Sequence, residues 1–208
     1  MNIREVSFSE AYKEARRFSV MQYYDEIEEF LDKCSEYLGK VKTIVEIGSH
    51  LGGNLLLLNR LMDGESDDLM IAVSVDQGYG RIHTEMISEI IKPSGVVSFE
   101  TNSRSVETIR NVENTLGDRL IDVLFIDADH SYEGSYGDYK AYVDLCSPKS
   151  IIGLHDIYWT AGGVIKTWDK LKRSYITHEC IRKTIRSEYE PKWETVGRGI
   201  GILYRGIS

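Results

Sequence analysis

The sequence has few of the residues that cross-link or stiffen a chain. Only three cysteines and three prolines occur among 208 residues. Cys34, Cys146 and Cys180 are odd in number and widely spaced, which matches neither a disulfide framework nor a CxxC metal knuckle. We therefore expect ordinary thiols in a reducing compartment. So few prolines also leave little room for a stiff linker between domains.

Long apolar runs and an excess of basic charge are also missing. No run approaches the roughly 18 apolar residues that span a bilayer. The start of the chain, with Arg4, Glu5 and Glu10, lacks the apolar core of a signal peptide. The 25 basic and 33 acidic residues give a net charge of -8, which disfavours a broad phosphate-binding surface. We expect a cytoplasmic protein whose partners are neither nucleic acid nor membrane.

Apolar periodicity divides the chain into alternating strands and helices. Residues 8–38 predict two helical pieces, the second of which ends at Gly39. Strands are predicted at 43–47, 70–75, 96–100, 123–126, 151–154 and 199–204. The helices between and after them are predicted at 52–62, 81–91, 105–116, 136–146 and 163–171. Such repeated units predict a parallel sheet with right-handed crossovers and helices on both faces.

The fold class predicted is therefore α/β. We expect a Rossmann-like, doubly wound and mostly parallel seven-stranded sheet with a helical N-terminal extension. A length of 208 residues suits one domain with a single core. We accordingly predict one domain over 1–208, with the extension at 1–40 and the core at 41–208. The amphipathic segment 20–38 is left open as a dimer interface, a lid, or a helix packed on the sheet, so a homo-oligomer is possible.

Two predicted strands end in acidic and imidazole side chains. The buried strand 123–126 is followed by Asp127, Asp129 and His130, and the strand 151–154 by His155 and Asp156. In open α/β sheets the carboxyl ends of the strands face the ligand crevice. Buried carboxylates cost free energy unless they are paired, hydrogen-bonded or bound to a cation. The pattern predicts one cation site or one acid–base site, with Asp129 turned away to cap the next helix.

The segment 45–53 predicts a strand, a glycine turn and the start of a helix. Gly48 allows a sharp turn, and Gly52 or Gly53 lets backbone and ligand approach closely. A dinucleotide fingerprint needs glycine at three positions, but His50 occupies the middle one, where its side chain would crowd a pyrophosphate. A nicotinamide-dependent reductase is therefore disfavoured.

An acid precedes this turn, and another follows the second strand. Glu46 lies two residues before Gly48, and Asp76 takes a position that commonly grips ribose hydroxyls. With these residues the chain resembles the class I S-adenosylmethionine-dependent methyltransferases over residues 43–204. The resemblance implies S-adenosylmethionine as cofactor, bound at the methionine, ribose and adenine ends. The cofactor-binding residues that it implies are Glu46, Gly48, Ser49, Gly52, Asp76, Gln77, Asn102, Ser103 and Asp127.

The acid and histidine segments resemble a narrower group, the metal-dependent O-methyltransferases of cephamycin biosynthesis and macrolide sugars. That resemblance implies a divalent cation bound by Asp127, Asp156 and His155, with His130 as general base. Oxygen ligands favour Mg²⁺, whereas ligation by His155 would favour Mn²⁺. Many relatives carry two acids at the 155–156 pair, so His155 is a departure and is equally well a buried structural imidazole.

The function predicted is transfer of a methyl group to a hydroxyl of a small molecule such as a sugar, a catechol or a natural product. A metal-independent methyltransferase and a non-catalytic S-adenosylmethionine-binding domain are kept as alternatives. Metal-dependent hydrolysis would leave the Glu46 and Asp76 pattern without a purpose. Tyr158 and Trp159 are the aromatic residues expected to line the acceptor pocket.

Overall fold

Seven strands form one sheet in the computed structural model, which describes residues 2–74, 87, 89–90, 95–183 and 198–207. They are β1 (Thr43–Ile47), β2 (Leu69–Ser74), β3 (Gly95–Glu100), β4 (Ile121–Ile126), β5 (Cys146–His155), β6 (Ile176–Cys180) and β7 (Ile200–Tyr204). Their order is β3-β2-β1-β4-β5-β7-β6. The first five are parallel, and β7 runs antiparallel between β5 and β6. The predicted Rossmann-like, mostly parallel seven-stranded sheet is confirmed.

Helices precede the sheet and connect its strands. They are α1 (Phe8–Ala15), α2 (Tyr24–Leu38), α3 (Gly53–Leu58), α4 (Val106–Leu116), α5 (Tyr132–Tyr142) and α6 (Val164–Leu171). Helix α2 ends as its sequence predicts, with Gly39 at a φ of 73°, a conformation that glycine adopts without a Cβ penalty. The helix predicted at 81–91 lies outside the described residues, apart from 87 and 89–90. No helix in the described ranges has the length and apolarity to cross a membrane.

The helices cover both faces of the sheet. One apolar cluster joins α1, α2 and α3 to the sheet, and a second joins α4, α5 and α6 to its other face. Successive residues of β1 alternate between them, since Ile44 belongs to the first and Val45 to the second. A strand buried on both faces is a near-continuous apolar run, and Thr43 and Glu46 are the buried polar residues of β1. The segment 20–38 packs on the sheet through α2, one of the three placements left open.

The structure differs from the sequence predictions where α5 begins. The helix starts at Tyr132 rather than near 136, because the Ser131 side chain accepts a hydrogen bond from the Gly134 N–H and caps it. Asp129 was expected to be this cap and is not. Its carboxylate accepts the N–H of Ser131 at 3.0 Å and pairs with Arg104 at 2.9 Å.

Strand β6 was the strand that the sequence did not delimit. Its residues 176–180 are largely half-exposed, and the three central residues of this segment of five are all polar. A short edge strand carries a weak hydrophobic signal. The strand is held in place by antiparallel pairing with β7, whose residues lie twenty or more positions further along the chain.

Candidate active site

A cavity opens at the carboxyl ends of the central strands. Ile126 at the end of β4 pairs with Ile47 of β1 on one side and with Leu154 of β5 on the other. The segments after these three strands therefore meet at one edge of the sheet. The cavity measures about 790 Å³, within the range of small-molecule sites. Its lining residues are Met21, Gly48, His50, Val73, Ser74, Thr101, Asn102, Ser103, Arg104, Asp127, Ala128, Asp129, His130, His155, Asp156 and Arg198.

Asp127 is the centre of a hydrogen-bonded cluster in this cavity. Its Oδ1 lies 3.1 Å from His155 Nδ1 and 3.3 Å from His130 Nε2, and its Oδ2 accepts a hydrogen bond from Gln22 Nε2 at 2.6 Å. Burial favours the neutral acid, but His155 and His130 outweigh it and hold the pKa of Asp127 well below its usual range. Asp127 is therefore a carboxylate.

Asp156 is the least satisfied carboxylate of the cluster. It is 0% exposed, and neither oxygen has a hydrogen-bond partner among the described residues. His130 Nε2 lies 3.4 Å from its Oδ2, and Arg198 lies 3.7 Å from its Oδ1. Burial raises the pKa of Asp156 above its usual value. Its φ of 65° is a strained conformation for a non-glycine residue, and such strain clusters at functional sites.

A divalent cation fits this donor set. Ligand atoms of Asp127, His130 and Asp156 all lie within 4.8 Å of one another. Two carboxylates, one of them without hydrogen bonds, are what a hard cation with retained waters requires. The three residues converge from two strand ends, as the sequence predicted for Asp127 and Asp156.

The two histidines differ in their surroundings. The His130 side chain is partly exposed in the cavity. Its ring packs at nearly a right angle to the Trp159 ring, with 5.1 Å between the ring centroids. Its hydrogen bond to Asp127 raises the pKa of His130 although burial lowers it. His155 is buried, and burial alone would lower its pKa, but Asp127 and Asp156 raise the pKa of His155 to about 9.

These surroundings bear on the roles that the sequence assigned. The geometry groups His130, not His155, with Asp127 and Asp156 as possible ligands. His155 instead uses Nδ1 to hydrogen-bond Asp127, which suits a buried counter-ion. Assignment of His130 as base and of His155 as ligand stays a prediction.

The glycine turn is shaped by close contact with the chain after β4. Gly48 has a φ of 96°, and a Cβ there would overlap the backbone carbonyl of Asp127. Gly52 has a φ of 94° and precedes the first residue of α3. Glycine adopts such positive φ angles freely, and at Gly48 it also leaves room for the close approach of the Asp127 backbone. The turn thereby sets Gly48 beside Asp127 in the cavity.

Other residues predicted to bind the cofactor lie behind the turn. The Glu46 carboxylate accepts a hydrogen bond from Asn54 Nδ2 at 2.7 Å, and the Ser49 hydroxyl donates to the Glu46 carbonyl at 3.4 Å. Of the residues that the structure describes, Glu46, Ser49 and Gly52 are outside the cavity lining. Their position suits support of the turn, and their cofactor contacts stay a prediction.

The segment predicted to border the adenine does lie at the cavity. Asn102 and Ser103 follow β3 and line it. The Ser103 hydroxyl donates to Asp138 at 2.6 Å, and its carbonyl accepts the Tyr142 hydroxyl at 2.6 Å, so α5 holds the segment. Asp76 and Gln77, the predicted ribose residues, lie outside the described part of the chain.

Sequence reasoning missed several residues of this site. Gln22 and Met21 come from the N-terminal extension, and Arg198 precedes β7. None belongs to a motif, so no sequence signal marked them. Tyr158, expected in the acceptor pocket, is half-exposed and donates its hydroxyl hydrogen bond to Glu179 instead.

A second acid and histidine group lies between α2 and β6. Glu29, His178 and Cys180 approach within 4.8 Å. Its charges are already paired, because Glu29 bonds His178 at 2.8 Å and the Lys183 ammonium at 2.9 Å. Burial also raises the pKa of the Cys180 thiol well above its usual value. The group is a structural ion-pair cluster.

Glu46 makes the stability of the protein depend on pH. Burial raises the pKa of Glu46 from 4.5 to about 7. The folded protein thus holds this proton more tightly than the unfolded chain does. The resulting gain in stability is fully present below the unfolded pKa of 4.5 and is lost as pH rises through the folded pKa of about 7. Between about pH 5 and pH 8, we expect Glu46→Gln to gain up to about 3 kcal/mol in unfolding free energy relative to wild type. Parallel urea titrations measure this difference, and a constant difference would contradict it.

Comparison with known proteins gives the family and the fold. A family model described as a methyltransferase domain matches residues 45–157, more than half of the chain. No protein of curated function matches the sequence. Among solved structures, an O-methyltransferase from Bacillus cereus in complex with SAH is 14% identical, with a TM-score of 0.63 over 95% of this chain and 90% of that one.

A second neighbour is the O-methyltransferase TomG from Streptomyces achromogenes, which is involved in tomaymycin synthesis and was solved with SAM. It is 14% identical, with a TM-score of 0.65 over 96% of this chain and 89% of that one. At these identities the likeness establishes the fold. The family model spans the glycine turn, Asp127, His130 and Asp156. The chain thus belongs to the methyltransferase domain family and has its class I, Rossmann-like fold.

Proposed function

We propose that the protein is an S-adenosylmethionine-dependent O-methyltransferase that acts on a hydroxyl of a small molecule with the help of a divalent cation. The observation that carries this proposal is the Asp127, His130 and Asp156 group beside the Gly48 turn in one cavity. The turn suits the cofactor, and the group suits the activation of an acceptor. A sugar, a catechol or another natural product could supply the hydroxyl, since fold does not choose between them.

S-adenosylmethionine is the cofactor that best suits the cavity. Two neighbours of this fold were solved with SAH or SAM, which supports the same cofactor here. In the class I family the methionine end lies at the turn after β1, and here Gly48 leaves that turn open to the cavity. Asn102 and Ser103 would border the adenine at the other end, and Asp76 would bond the ribose.

Asp127 and Asp156 would hold the cation, and His130 lies beside both carboxylates. A bound divalent cation would lower the pKa of a coordinated hydroxyl and orient it for attack. The residues contribute what the cation needs, which is two acidic side chains of low exposure held from two different strand ends. Asp127 is fixed by three hydrogen bonds, so the acceptor would be held in one orientation.

His130 is the residue placed to take the acceptor proton. Its Nε2 faces the two carboxylates at 3.3 and 3.4 Å, and these charges would stabilise the imidazolium that forms. As the acceptor oxygen forms its bond to the methyl carbon, the carbon–sulfur bond breaks and the sulfonium becomes a neutral thioether. The hydroxyl proton ends on His130. Much of the rate then depends on alignment of the oxygen, carbon and sulfur atoms.

Cofactor binding is the first test of the proposal. Isothermal titration calorimetry should show S-adenosylhomocysteine binding to the wild-type protein far more tightly than NAD⁺. Asp76→Ala should weaken that binding by about 1–3 kcal/mol, the cost of leaving polar groups unpaired in a site. Equal or tighter binding of NAD⁺ would refute the proposed cofactor.

Methyl transfer to a panel of hydroxylated acceptors, with and without EDTA, separates the remaining alternatives. Activity that survives the chelator would indicate a metal-independent enzyme. Tight S-adenosylhomocysteine binding without transfer to any acceptor in the panel would favour a non-catalytic domain.

A further inference from the structure

We propose that Gln22 is a positioning residue of the active site that acts through the Asp127 carboxylate. The inference rests on the proposed function. It gives the segment that precedes the methyltransferase core a role in the site. No motif marks Gln22, and the family model begins at residue 45.

The segment before α2 lies directly on the glycine turn. A Cβ on Gly53 would come within 2.6 Å of the Ala15 carbonyl and the Val20 nitrogen. The Tyr12 hydroxyl donates to the Gln22 carbonyl at 2.7 Å. Met21 is 53% exposed and lines the cavity. The backbone here is therefore held against the start of α3, and the side chain at 22 enters the site from a fixed point.

Gln22 determines how the Asp127 carboxylate faces the cavity. Its side-chain amide donates to Asp127 Oδ2 at 2.6 Å, and the residue is only 3% exposed. A hydrogen bond to a buried carboxylate is among the stronger kinds. Because Oδ2 is occupied, Oδ1 is the atom that faces His130 and His155. The Gln22 Oε1 atom is itself buried and has no hydrogen-bond partner in the described ranges, so the amide is committed to Asp127.

Glu26 anchors the same segment from the other side of the site. It lies in the first turn of α2, is fully buried, and accepts the Gly199 N–H at 3.0 Å. Gly199 follows Arg198, which lies 3.7 Å from Asp156 Oδ1. The segment that carries Gln22 is therefore fixed to the chain before β7 as well as to α3.

Three side chains form a hydrogen-bonded chain that begins in this segment. Gln22 bonds Asp127, and Asp127 bonds His155. Groups that orient a metal-binding side chain typically alter metal affinity or activity about 10–100-fold when they are replaced. We expect an effect of that size through Asp127, with the cofactor little affected.

The test uses the full chain and two near-isosteric variants. Gln22→Met removes the amide while keeping its volume. Glu36→Gln is the matched control, because Glu36 is on the helix that follows Gln22 but is exposed and pairs only with Lys33 in the described part of the chain. Circular dichroism and thermal unfolding establish that each variant is folded.

The first readout needs neither metal nor activity. In ¹⁵N NMR spectra of the metal-free protein, the ring nitrogen signals of His155 and His130 should shift in Gln22→Met and should stay in place in Glu36→Gln. Unchanged His155 and His130 signals in Gln22→Met would overturn the proposal.

The second readout is Mn²⁺ affinity, followed by electron paramagnetic resonance of the free ion. Gln22→Met should weaken it about 10–100-fold and lower kcat more than it raises the KM of S-adenosylmethionine. A folded Gln22→Met protein with wild-type Mn²⁺ affinity and kcat would exclude a positioning role. Failure of the proposed function would look different, because the wild-type protein itself would then bind no Mn²⁺ or transfer no methyl group, while the NMR comparison would still decide on Gln22.

Discussion

Asp156→Ala is expected to lower methyl transfer by about a thousandfold or more and to leave S-adenosylhomocysteine affinity within a few-fold of wild type. Asp156 is fully buried without a hydrogen bond among the described residues, so its role in the folded protein is electrostatic. A bound cation contributes several kcal/mol to such reactions, and each 1.36 kcal/mol of barrier is about a tenfold change in rate. Calorimetry for the cofactor and initial rates at saturating Mg²⁺ measure the two effects.

The stability of this variant should change little. Removing a buried carboxylate whose pKa is raised by burial relieves a desolvation cost. Alanine at a φ of 65° adds a cost of about 1–2 kcal/mol in the opposite direction. Asp169→Ala, at an exposed acid of α6 that pairs with Lys172, is the control and should keep wild-type rates. An Asp156→Ala enzyme with full activity, or a wild-type enzyme with full activity in excess EDTA, would refute a catalytic cation held by Asp156.

His130→Ala is expected to slow turnover by about 10²–10⁴-fold, the usual contribution of a positioned general base. The ring reaches into the cavity between Asp127, Asp156 and Trp159, where an acceptor hydroxyl would lie. Cofactor affinity should stay close to wild type, because the methionine and adenine ends lie elsewhere. A rate within about threefold of wild type at saturating acceptor and metal would remove His130 from the mechanism.

Mn²⁺ binding by the same variant distinguishes the two roles that His130 could have. If His130 is only the base, His130→Ala should leave Mn²⁺ affinity unchanged. If His130 is a third ligand, the same variant should bind Mn²⁺ more weakly. His155→Ala is the companion variant. If His155 is a counter-ion that orients Asp127, its loss should weaken Mn²⁺ binding and perturb the cluster without a specific loss of proton transfer. Rates measured with acceptors of different hydroxyl acidity separate these cases. Only loss of the base should lower the rate more for weakly acidic hydroxyls than for acidic ones.

The sequence by itself determined the sheet and the approximate place of the site. Local signals suffice for these, because apolar runs bounded by glycine turns predict strands and the carboxyl ends of parallel strands share one edge. Asp127 and Asp156 could be placed together from their positions after two strands, and the structure does bring them to one cavity. Gly48 could be recognised because a sharp turn after a strand needs its backbone freedom.

Only the tertiary structure decided which further residues complete the site and how the histidines are used. Gln22 lies 105 residues from Asp127 in sequence, and Glu26 lies 173 residues from Gly199. Neither contact leaves a periodic or motif signal. The contrast between His130 and His155 is likewise a matter of three-dimensional surroundings, since one lies just after the end of a strand and the other is the last residue of a strand. Short-range patterns specify which elements form, whereas hydrogen bonds and charge interactions depend on distances of a few ångströms, which only the packing of those elements sets.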